Sequence, residues 1–238
     1  MKQLQSTADD ETETVYWAML QAIQARDLLP GTKLSEETIG ASFGISRPVV
    51  RGALNRLSTD QLVVFERNRG AFVASPTERE ADEIFALWAM IEAQMMRELA
   101  GRLTGAQLDE LQANVDENRR HLREGNRRSD IEAAQQFHML LARALDNRAL
   151  EATIFRLICR SALVLALHPR RKRTEFGIDE HQQMVDHLRH GDGEAAAQAA
   201  RAHLLNTLAR ARMLEEANPG DTLGDVLVRY AGIRPVRS

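Results

Sequence analysis

GISRPVVRGALNRL, residues Gly44 to Leu57, has the grammar of a turn followed by a new helix. Gly44 suits the end of a preceding helix, where a left-handed residue is needed. Ser46 brings a small side-chain oxygen to the start of the next helix, and Pro48 stands in a first turn that can spare its N–H. Val50, Ala53, Leu54 and Leu57 then recur at helical spacing and are predicted to face inward. Arg47 and Arg51, four residues apart, project together from one side. That side carries guanidinium groups suited to phosphates and base edges, so the stretch reads as the recognition helix of a helix-turn-helix.

Working outward, LSEETIGASF (residues 34–43) supplies the supporting helix, with Ser35 as cap, acidic residues in the first turn, and Leu34, Ile39 and Phe43 as packing residues. On the other side, QLVVFERNRGAFVAS (residues 61–75) has two short apolar runs around a polar tip at Glu66 to Gly70. This predicts a hairpin wing, with Arg67, Asn68 and Arg69 at its tip and Gly70 allowing close backbone approach.

Cap, helix, turn, helix and wing in this order resemble the GntR transcriptional regulators, in particular the FadR-like branch with an FCD-type helical C-terminal domain. The family's usual run, LxExxLAxxxGVSRTPVREAL and later RGxxV, stands here as LSEETIGASFGISRPVVRGAL and RGAFV. The specific match covers Leu34 to Val73, and a weaker one continues through the C-terminal half. Pro48 and Val49 replace the usual Thr-Pro pair and Gly52 replaces Glu, changes that bear on operator preference. The resemblance implies that Arg47 and Arg51, flanked by Ser46 and Pro48, read DNA. It also implies that the Asn68-Arg69-Gly70 wing tip meets the minor groove or the phosphate backbone.

Composition narrows the setting. The 238 residues suit two domains, and 44% hydrophobic content is ample for two cores. With a net charge of −3, the chain is not a generally basic, non-specific binder, so a basic DNA-facing surface has to be local. No apolar run of about 18 residues suggests a membrane span, nor is there a signal-peptide pattern; a cytoplasmic protein is expected. The lone Cys159, in an apolar helical stretch, reads as a small buried hydrophobe.

Residues 1–13 are polar and acidic and are expected to form a flexible arm. A DNA-binding domain follows over 14–76, its first helix predicted from Thr14 to Arg26. A helical effector-binding and dimerisation domain is expected over 77–217. It opens on the Thr77/Glu80 capping box, with Ile84, Leu87, Trp88, Ile91, Met95 and Leu99 as the apolar stripe. Thr104/Gln107 and Ser129/Glu132 mark two further helix starts. Later helices are expected over 149–167, 179–190 and 193–216. A tail over 218–238 contains one short helix near Thr222 to Tyr230, whose role the sequence leaves open. The fold class is therefore mainly α: an N-terminal winged helix-turn-helix with a small β wing, then an antiparallel all-helical bundle. The basic run His168 to Arg173 reads as a solvated helix C-terminus.

His181 and His203 lie equally far from Asp192, in the Gly191-Asp192-Gly193 turn. In a helical hairpin both fall about 16 Å from the turn and can face each other. His138 offers a third imidazole from a neighbouring helix, a set suited to zinc, nickel or a similar divalent ion. Spacing alone favours the simpler reading of ordinary surface or core histidines. The family resemblance implies an Asp and three His, and the three His match; the position of the Asp is Ala134. Gln135, a water or an effector carboxylate could fill the vacancy. Trp88 stands where the family typically has an Arg directed at the metal or an acidic effector, so Trp88, Ala134 and Gln135 are taken to line an effector pocket.

The expected function is a homodimeric regulator, acting as a repressor on a near-palindromic double-stranded DNA operator, with affinity modulated by a metal or an unidentified small molecule. The rival readings are a metal-dependent hydrolase using the three histidines and a helical scaffold. The first lacks a nucleophile motif, phosphate loop or clear general base, and the second leaves the wing and recognition helix without a use.

Overall fold

The computed structural model describes residues 8–168, 175–212 and 222–231. Two units emerge. The first comprises the chain up to Pro76, the segment Ala162–Leu167 and the C-terminal residues from Asn218; the second runs from Thr77 to Ser161 and from His168 to Ala217.

In the first unit, α1 (Ala8–Gln24) precedes a two-residue strand β1 (Lys33–Leu34), α2 (Glu36–Phe43) and α3 (Arg47–Thr59); β2 (Val63–Glu66) and β3 (Gly70–Val73) form the wing. Helix α1 thus begins six residues earlier than Thr14, and part of the expected arm is helical. Its acidic first turn, Asp9-Asp10-Glu11, favours an N-terminus there by complementing the helix dipole. The sheet order is β1-β3-β2, all antiparallel, with Val63 opposite Val73, Glu66 opposite Gly70 and Leu34 opposite Ala71. Sequence reading found the hairpin but not β1, because two residues show no alternation.

The helix-turn-helix is set by its caps. Ser35 accepts from the Thr38 N–H, and Gly44 closes α2 at φ 67°, its N–H returning to the Gly40 carbonyl. Val50, Ala53, Leu54 and Leu57 are fully buried. Ser46 holds the N-cap position of α3, but its side chain makes no capping hydrogen bond, contrary to expectation.

The second unit contains α4 (Glu78–Leu99), α5 (Gly105–Arg123), α6 (Arg127–Ala144), most of α7 (Arg148–Ala166), α8 (Phe176–Arg189) and α9 (Gly193–Arg212). Capping boxes at Thr77/Glu80 and Thr104/Gln107 start α4 and α5. Ser129/Glu132 does not start α6: Asn126 is the cap, accepting from the Ser129 N–H, so Ser129 lies inside the first turn. Helix α9 packs along α4 and α8, and α5 packs against α6 and α8. Of the predicted α4 stripe, Ile84, Trp88, Met95 and Leu99 are buried, while Leu87 and Ile91 are not. Leu87 is 48% exposed, whereas Phe85, Glu92 and Met96 are buried.

The last described helix, α10 (Leu223–Tyr230), groups with the first unit rather than forming a separate tail. The break at Asn218-Pro219-Gly220 and the basic run from Pro169 to Arg173 lie outside the described residues. No helix among the described residues is long and apolar enough to cross a membrane.

Candidate functional site

Two sites stand out, one in each unit. In the first, the inward stripe of α3 leaves the opposite face to solvent. Arg47 and Arg51 side chains are 69% and 66% exposed. Their partners are on α2: Arg47 lies 3.5 Å from Glu37, and Arg51 Nε donates to Glu36 at 3.0 Å. Exposed ion pairs of this kind are weak, so an incoming phosphate can displace either carboxylate. Ser46 and Pro48 share the exposed N-terminal edge of the helix. At the wing tip, Arg67, Asn68, Arg69 and Gly70 are all exposed. Asn68 adopts a left-handed φ of 60° in the turn, and Arg69 pairs with Glu66 and lies 5.0 Å from the Phe72 ring centre.

In the second unit, His138 from α6, His181 from α8 and His203 from α9 meet in the interior. All three are buried, each offering a ring nitrogen within 4.8 Å of the others. His181 Nε2 and His203 Nε2 are 3.2 Å apart. Two nitrogens on a tetrahedral ion at about 2.05 Å would be separated by about 3.3 Å, so this spacing matches a shared divalent cation. His181 stacks on Phe137, ring centres 4.1 Å apart at 11°, which fixes the plane of its imidazole.

Two carboxylates orient the other rings. Both oxygens of Glu92 lie against His138 Nδ1, at 2.8 and 2.9 Å, and Trp88 donates its indole N–H to the same carboxylate at 2.7 Å. Glu180 accepts from His203 Nδ1 at 2.7 Å and from both Arg210 terminal nitrogens, each at 2.7 Å, with Asn206 adding a bond at 3.1 Å. Burial works against the Glu180 charge, but Arg210 and then His203 more than offset it, holding its pKa at about 2. Burial pushes His203 the other way, below the ordinary imidazole value, despite the pull of Glu180. With each Nδ1 committed to a carboxylate, Nε2 of His138 and of His203 is the nitrogen left for a ligand, an arrangement common around metal-binding histidines.

These residues fit a borderline divalent ion: three buried imidazoles, two of them oriented by carboxylates. Ala134, half-buried on α6 four residues before His138, carries only a methyl group. Gln135 is half-buried one turn from His138. Trp88 is buried with its ring edge-on to His138, centroids 4.8 Å apart. The sequence pointed to the three histidines but missed Glu92, Glu180, Arg210 and Phe137. Glu92 did leave a trace: four residues beyond Trp88, it is a carboxylate on an otherwise apolar helix face.

An exposed basic recognition helix beside a wing, on a chain that also carries a helical bundle around buried histidines, defines a DNA-binding transcriptional regulator rather than an enzyme. Residues 11–73 match the bacterial regulatory proteins of the gntR family, and residues 83–206 match the FCD domain. The chain belongs to the GntR family, in its FCD-containing form.

It is 26% identical over 180 residues to the uncharacterized HTH-type transcriptional regulator YdhC of Bacillus subtilis, covering 73% of this chain and 79% of that one. It is 25% identical over 194 residues to the HTH-type transcriptional repressor RspR of Escherichia coli, covering 80% and 84% respectively. Its fold is similar to that of E. coli McbR/YncC (TM-score 0.77, 19% identity, 85% of this chain and 97% of that one). The same TM-score of 0.77 is reached with a putative GntR regulator from Rhodococcus sp. RHA1, at 24% identity over 86% of this chain and 99% of the other.

Proposed function

We propose that the protein represses transcription as a homodimer, placing two copies of α3 in successive major grooves of a near-palindromic operator. Arg47 and Arg51 read base edges or phosphates, Ser46 and Pro48 shape the edge that approaches the duplex, and Asn68, Arg69 and Gly70 engage the adjacent minor groove or backbone. The observation that carries this reading is the pair of guanidinium groups on one face of α3, about two-thirds exposed and each paired with a single α2 carboxylate among the described residues. A homologue named as a repressor supports the sign of regulation. Such a protein works beside the chromosome, in the cytoplasm. The test is gel-shift binding to the DNA upstream of its own gene: salt-sensitive, sequence-selective binding that Arg47→Ala or Arg51→Ala abolishes supports the reading. Binding indifferent to both substitutions overturns it.

For the bundle, we infer that His138, His181 and His203 hold zinc or nickel, with Glu92 and Glu180 fixing the rings. Bound, the ion would act as a structural pin and as a docking point for an effector atom in its open position. Trp88, Ala134 and Gln135 would line the approach and set effector preference away from small carboxylates, since the indole N–H is already committed to Glu92. Elemental analysis of the purified protein tests this. Near-stoichiometric metal in the wild type, lost in His181→Ala and His203→Ala, is expected; equal and negligible metal in all three refutes it.

A further inference from the structure

Helix α10 lies outside both family matches, the later of which ends at residue 206. It is amphipathic: Val226, Leu227 and Tyr230, at the i, i+1, i+4 spacing of one helix face, are at most 1% exposed, while Val228 on the opposite side is 71% exposed. Its start is capped by Thr222, which accepts from the Asp225 N–H, so the helix has its own sequence-encoded beginning. The buried face packs on α1 and α2. Tyr230 seals the end of this contact by donating its hydroxyl to Asp27, in the turn after α1, at 2.8 Å, and Arg229 lies 4.0 Å from the same carboxylate.

Helix α2 is the support against which the recognition helix is set, and α10 covers part of it. We propose that α10 is an intramolecular clamp of the DNA-binding head: its apolar face bridges α1 and α2. Its seating holds α2, and through it α3, in the DNA-reading arrangement. The head is thus completed by a segment separated from it by the entire effector bundle. This inference does not depend on the metal reading.

The test uses the full chain with Val226→Asp, which puts a charge on the buried face, and Tyr230→Phe, which removes only the hydroxyl to Asp27. Hydrogen exchange is followed peptide by peptide, and operator affinity is measured on a duplex selected from a random library with the wild type. Val226→Asp is expected to speed exchange in α1 and α2 while leaving α4 and α9 protected, and to raise the apparent Kd about tenfold, as when only a tenth of the heads remain competent. Tyr230→Phe should give a smaller change of the same sign. A synthetic peptide of residues 221–231, added to the full-length Val226→Asp chain, should restore protection of α2. Unchanged exchange in α2 overturns the clamp. Faster exchange with unchanged affinity overturns its role in DNA reading, and tighter DNA binding by either variant would show that α10 restrains the head instead. Failure of the wild type to select any duplex would count against the regulator reading, while the exchange data still decide the clamp.

Discussion

Glu92 is the residue on which the histidine cluster leans most. It is wholly buried, and both its partners are hydrogen-bond donors that would otherwise lack an acceptor there. Glu92→Ala is expected to cost about 3–5 kcal/mol, because the donors stay buried while their acceptor is removed. Chemical denaturation of the full chain, followed through the bundle's transition, checks this. Glu92→Gln keeps the volume and removes the charge, and should weaken metal affinity by about 10- to 100-fold in competition with a chromophoric chelator. Gly52 makes a second residue-scale point. A Cβ at this position would lie 3.3 Å from Thr12 Cγ2 and 3.4 Å from its hydroxyl, so α1 passes close over α3 here. The Glu usual at this position in the family would press on that turn. Gly52→Glu is expected to accelerate amide exchange over residues 8–12 selectively, and an unchanged pattern would detach the glycine from the early start of α1. The histidines were legible in the sequence because a symmetric hairpin relates two of them. Glu92 and Arg210 were not, because their partners lie 46 and 30 positions away and only the packing of helices brings them together.

Elements whose ends carry local chemistry were read well from the sequence: Ser35 and Gly44 bracket α2, and the boxes at Thr77 and Thr104 open α4 and α5. Where two capping candidates compete within three residues, as Asn126 and Ser129 do, sequence alone chose the wrong one, since packing decides which turn is the first. The start of α1 was missed for a related reason: its stabilising partners are on α3. Glu13 pairs with Arg56, whose guanidinium lies 4.3 Å from the Tyr16 ring centre, and the Tyr16 hydroxyl donates to Asp60 at 2.7 Å. The hydrogen bond from Arg56 lowers the Glu13 pKa below its ordinary value of 4.5. A carboxylate depressed in the folded state adds stability above its unfolded pKa and loses it as pH falls through the folded value. Glu13→Gln should therefore destabilise the head by about 0.5–1 kcal/mol at neutral pH. The wild type and the variant should converge once the pH has dropped below the lowered value. Parallel melting curves across that range would contradict the assignment.

For the molecule as a whole, net charge and local surface point in different directions: the chain carries a net charge of −3, and the proposed DNA-facing surface is limited to α3 and the wing. Operator binding should consequently have a modest salt slope, and Arg47→Ala should reduce the slope of log Kobs against log salt by about one if that side chain meets a phosphate. No change in slope with reduced sequence discrimination would reassign Arg47 to base reading. Sedimentation of the apoprotein and the metal-loaded protein should give twice the 26.7 kDa chain mass in both, since the dimer is expected to serve DNA reading independently of the ion. The mainly α class and the order of head and bundle could be read from composition and punctuation. That the last helix belongs with the head could not, because an amphipathic octamer announces that it has a partner but not which one.

The placement of α10 also has a consequence for synthesis. An N-terminal head would ordinarily mature first, while the remainder of the chain is still being translated. Here the surfaces of α1 and α2 that Val226, Leu227 and Tyr230 cover have to wait for those residues, which at ordinary synthesis rates follow the head by on the order of ten seconds. The head of a nascent regulator of this design therefore stays incompletely covered until α10 has emerged and docked.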